Sequence, residues 1–98
     1  MIKIQIQSDV KDKAVDIVRS AISGEIKRLE MGLNKTNRQI GEFEKKYKIT
    51  SSDFLEKISA EDLEGLDEEY VEWEGEIKLR EKILSDLSQL KGIEYVAQ

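Results

Sequence analysis

The sequence has no histidine, no cysteine and no proline in 98 residues. Without histidine there is no imidazole to move protons near neutral pH and no Ser-His-Asp triad. Without cysteine there is no thiol nucleophile, no thiolate metal site and no disulfide framework, so the fold rests on apolar packing or on a partner. Without proline, long helices meet no built-in break. Aromatics are sparse: one Trp, three Tyr and two Phe. No run approaches the ~20 apolar residues that a membrane-spanning helix needs. Met1–Gln7 lacks the apolar core of a signal peptide, so a cytoplasmic protein is expected.

Charged residues make up 38% of the chain, well above the ~25% usual for a globular domain, which suits long exposed helices. The net charge of −5 is unevenly laid out. Residues 1–57 hold 12 basic and 9 acidic side chains, whereas residues 58–98 hold 4 basic and 12 acidic ones. The chain is thus +3 followed by −8, and no Lys or Arg lies between Ile58 and Ile77.

Periodicity predicts an all-α fold in one domain spanning 1–98, a long antiparallel helical hairpin of coiled-coil type with short strand-like tails. Residues 2–7 alternate, with Ile2, Ile4 and Ile6 on one face, as a strand requires. Ser8 and Asp9 are helix-starting residues, and a long helix is expected over 9–47. Its seam, Ile22, Ile26, Leu29, Leu33, Thr36, Ile40, Phe43 and Tyr47, advances in steps of 4-3-4-3-4-3-4. Gly24, Gly32 and Gly41 lie inside that helix and mark bends, close packing or tolerated exposed sites.

Residues 48–66 read as a turn with short helices. Thr50 with Asp53 has N-cap spacing, and Ile49 with Phe54 has hydrophobic-staple spacing. The grammar repeats in Ser59 with Asp62 and Ile58 with Leu63. A last helix is expected over 67–91, with Leu66, Tyr70, Trp73, Ile77, Leu84 and Leu87 as its seam, thickened by Leu79, Ile83 and Leu90. Gly92 is placed to stop it, and residues 93–96 are expected to form a short strand near residues 2–7.

Glu68, Glu72 and Glu76 recur every four residues on one helical face. They satisfy a helix N-terminus, offer a docking surface to a basic partner, or attract a hard cation; no EF-hand ligand pattern accompanies them. No metal and no cofactor is expected. Lys45, Lys46 and Lys48 complement a helix C-terminus, and with no nucleic-acid-binding motif present direct nucleic-acid binding is not expected. No catalytic constellation can be assembled, so a non-enzymatic role is expected.

The stretch Phe43-Glu-Lys-Lys-Tyr47-Lys-Ile-Thr-Ser51-Ser-Asp-Phe54-Leu, followed by an acidic segment, Trp73 and a Leu-rich helix, resembles a family of small helical proteins. These are encoded beside TumE-type toxins in prokaryotic toxin–antitoxin operons. The likeness covers about residues 26–90, and where such proteins often carry Gly-Met this chain has Lys48-Ile49. The resemblance implies an antitoxin that neutralises a cognate, basic toxin by direct binding, with no catalytic residues. The contact residues expected for such a role are Ile2, Ile4, Ile6, Phe54, Tyr70 and Trp73, with Glu68, Glu72 and Glu76 as electrostatic partners. The seam also fits a homo-oligomer or hetero-complex, and the alternative reading is a self-assembling coiled-coil scaffold or prefoldin-like chaperone subunit.

Overall fold

The structure, a computed structural model, describes residues 2–7, 9, 11–60 and 68–97. Its elements are β1 (Lys3–Ile6), α1 (Lys11–Tyr47), α2 (Ser51–Ala60), α3 (Glu68–Lys91) and β2 (Glu94–Ala97). The fold is the expected helical hairpin, in which α1 packs against α3, with short strands at either end of the sequence. The chain divides into two compact units: residues 1–32 with 83–98, and residues 33–82.

In the first unit, β1 and β2 form a two-stranded parallel sheet, with Lys3 paired to Glu94 and Ile6 to Ala97. Ile6, Ile83 and Leu87 are buried, while Ile22, Ile26 and Leu29 of the α1 seam are half-buried. A Cβ added to Gly32 would lie 3.6 Å from Cδ1 of Ile83, an ordinary contact, whereas Gly24 faces open space. The α3 seam corrects one expectation. Ile83 and Leu87 carry it, and Leu84 lies beside it with 48% of its surface exposed, as Leu79 also is. Adjacent helical residues point about 100° apart, and Ile83 is the one that closes on Gly32 while Leu84 turns toward solvent.

In the second unit, Ile40, Phe54, Ile58, Trp73 and Ile77 form the core, with Phe43, Tyr47, Ile49, Leu55 and Tyr70 packed against it. Its turn is built from local hydrogen bonds. Lys48 adopts left-handed backbone, φ 54°, and the Ile49 N–H reaches back to the Glu44 carbonyl at 3.3 Å. This is a Schellman ending with lysine where glycine is usual. The Thr50 hydroxyl accepts the Asp53 N–H at 3.1 Å, as the cap spacing requires, and the Glu44 carboxylate takes the Ser51 N–H at 2.7 Å. Two of the orphan donors at the start of α2 are thereby satisfied. The Ile49–Phe54 staple packs as expected. The second cap, Ser59 with Asp62 and Ile58 with Leu63, falls on residues 61–67, outside the described residues.

Gly92 ends α3 without left-handed backbone. The last turn instead tightens, with N–H groups of Gly92 and Ile93 bonded to the carbonyls of Gln89 and Leu90 at 3.3 and 3.4 Å.

Candidate functional site

Five of the six aromatic side chains converge in the second unit. Trp73, with no exposed surface, stacks on Phe54 at a centroid distance of 3.8 Å and 6° between planes. Phe43 and Tyr47 stack on it more distantly, at 5.7 and 5.8 Å. Tyr70 meets both Tyr47 and Phe54 edge-on. Such ring pairs contribute about 1 kcal/mol each beyond the area they bury. The indole N–H of Trp73 donates to the buried Ser51 hydroxyl at 2.9 Å, so the one polar atom of the ring is satisfied. Beside this cluster a cleft of about 200 Å³ is lined by Tyr47, Ile49, Phe54, Lys57, Ile58, Tyr70 and Trp73. It is smaller than the ~300–1,000 Å³ usual for small-molecule sites.

At the rim, Glu69 accepts from Lys46 at 2.6 and 2.8 Å and from the Tyr47 hydroxyl. The lysine first, then the phenol, holds the Glu69 carboxyl below its usual 4.5. Farther along α3, Glu74 pairs with Lys78 at 2.9 Å. Glu68, Glu72 and Glu76 differ from both: no described residue supplies them with a cation. Glu68 and Glu72 are exposed and Glu76 is half-buried.

The expected contact residues therefore fall into three settings. Phe54 and Trp73 are core, with half-buried Tyr70 against them, and they direct their surface at one another. Glu68 and Glu72 face solvent on α3, and half-buried Glu76 continues their row. Ile2, Ile4 and Ile6 belong to the terminal ribbon, where Ile6 is buried, Ile4 half-buried and Ile2 exposed. Among the described residues no group of three or more carboxylates is arranged to hold a metal ion, and no helix is long and apolar enough to cross a membrane.

The sequence places Lys46 at a helix end and Ser51 in the turn, but does not pair Ser51 with Trp73 or Lys46 with Glu69. Ser51 lies 22 residues from Trp73, and Lys46 lies 23 from Glu69. Neither pairing follows from local spacing, since each depends on how the helices are set against one another. Comparison with family models, curated proteins and solved structures finds no match for this chain.

Proposed function

We propose that this chain is a non-enzymatic protein-binding module, an antitoxin that neutralises a basic cognate toxin by direct contact. The observation that supports this most is the strip Glu68, Glu72 and Glu76, which no described residue pairs with a cation. Helix-start electrostatics account for Glu68 and Glu69 in the first turn of α3. Glu72 and Glu76 lie beyond it, and like charges four residues apart cost about 0.2–0.5 kcal/mol per pair. A cation-rich partner relieves that repulsion, and the strip gives such a partner a phosphate-like row of charge. On this reading the chain works in the cytoplasm beside the toxin it binds.

The test is co-expression with the product of the neighbouring gene. Wild-type chain relieves that product's growth arrest, and the purified complex weakens as salt rises. The triple variant Glu68→Lys, Glu72→Lys, Glu76→Lys, whose positions lie outside the aromatic core, binds at least tenfold more weakly. Growth arrest that persists with wild-type chain refutes the antitoxin reading, and unchanged affinity of the triple variant refutes the acidic strip as its contact. Ile17 and Met31 favour a second reading as a self-assembling scaffold, since they sit on α1 with 64% and 72% of their surface exposed.

A further inference from the structure

Among the described residues the terminal sheet has two strands. They are four residues each and run parallel. Parallel ladders occur almost entirely inside larger covered sheets, and an isolated two-stranded ribbon is marginal in water. The unit that carries it also leaves its α1 seam half-buried, at Ile22, Ile26 and Leu29.

The Glu94 N–H donates to the Ile2 carbonyl at 2.7 Å. With the register of Lys3 on Glu94, this bond fixes the alternation along β1. Ile2, Ile4 and Ile6 turn their backbone groups toward β2, and Lys3 and Gln5 turn theirs to the outer edge. The register is unbroken by any bulge, and the chain has no proline to blunt that edge.

We propose that the outer edge of β1 pairs antiparallel with β1 of a second copy of this chain, about a two-fold axis at Ile4, giving a four-stranded sheet in the order β2-β1-β1-β2. The sequence of β1 complements itself in this register. Ile4 faces Ile4 and Ile2 faces Ile6 across one side of the sheet, while Lys3 faces Gln5 across the other. Ile2, 41% exposed in the single chain, gains an apolar neighbour. Slipping the copies so that Lys3 faces Lys3 sets like charges opposite each other, which disfavours that alternative. The outer edge of β2 suits a second copy less well, because pairing about Tyr95 sets the Glu94 carboxylate against Val96. The dimer contact belongs to the first unit and the acidic strip to the second, so loss of one binding activity leaves the other measurable.

Gln5 is exposed, and substitutions there separate this contact from effects within one chain. Inside the chain residue 5 lies near both Glu94, diagonally across on β2, and Lys3, two residues along the same face of β1, so the effects of Gln5→Lys and Gln5→Glu largely cancel there. Across the dimer, residue 5 directly faces Lys3 of the second copy, so Gln5→Glu is attracted and Gln5→Lys is repelled. Sedimentation equilibrium of the full chain should show a dimer that Gln5→Glu tightens and Gln5→Lys loosens, each by about tenfold from the two symmetry-related pairs. Gln5→Pro removes an outward N–H and leaves the bonds to β2 in place. It should give a monomer with unchanged helical circular dichroism. A wild-type chain that stays monomeric up to millimolar concentration overturns the proposal. So does a dimer that survives Gln5→Pro, or one whose affinity ignores the two charged variants or follows them in the opposite order.

Discussion

Lys48 holds a left-handed backbone, φ 54°, at the end of α1. For an L-residue that conformation costs about 1–2 kcal/mol through the clash of Cβ with the following carbonyl. Glycine removes the clash but brings about 0.4–1 kcal/mol of extra freedom to the unfolded chain. Lys48→Gly should therefore stabilise the protein by roughly 0.5–1 kcal/mol. The side chain is exposed and forms no ion pair with any described residue, so little else is lost. Lys45→Gly is the matched control, because it removes the same charge from the same last turn at a position with helical backbone. It should destabilise by about 1 kcal/mol. Urea unfolding followed by far-UV circular dichroism should give equal slopes for both variants and midpoints on opposite sides of wild type. The Lys48→Gly midpoint in heat should rise by several degrees, at roughly 4–8 °C per kcal/mol for a domain of this size. If both substitutions move stability in the same direction, the left-handed strain is not what distinguishes the two sites and the reasoning fails.

Ser51→Ala strands the buried indole N–H of Trp73 and should cost about 1–3 kcal/mol in urea unfolding, against less than about 0.5 for Ser52→Ala next to it; equal effects would mean the bond contributes nothing net. Glu69 has its carboxyl held low in the folded state, so its contribution is complete above the ordinary value of 4.5 and drains away as pH falls through the lower folded value. The stability gap between wild type and Glu69→Gln should accordingly be level near neutral pH and close in acid, and a gap that widens in acid would contradict the assigned cause.

Elements governed by local spacing were legible in the sequence. The alternation of Ile2, Ile4 and Ile6, the long 3-and-4 seam and the Thr50–Asp53 cap all reappear with boundaries moved by a residue or two, because each depends on groups within one or two turns of one another. What was not legible depends on distant choices. Leu84 and Ile83 both suit a seam, and the choice between them rests on the space at Gly32, some fifty positions earlier in the chain. The left-handed ending was hidden because lysine stands where glycine would have announced it. The proximity of residues 93–96 to residues 2–7 was expected, but the parallel direction and the register were not, since a ladder of four pairs leaves little pattern to read. Of the candidate site, the acidic spacing was visible and the partners of Trp73 and Glu69 were not.

The two compact units are nested rather than consecutive. The second is one uninterrupted stretch, and the first is assembled from the two stretches that flank it. In chain order the residues of the aromatic core all precede β2, so they are made while β1 still lacks its neighbour. The bond between Ile2 and Glu94 closes a loop of almost the whole chain. The entropy of such closure grows only logarithmically with length, so the nesting weighs on the timing of folding more than on final stability. Until residues 94–97 are made, β1 stays without its neighbour while the aromatic core already has all its residues, and that edge is open to pairing with other chains.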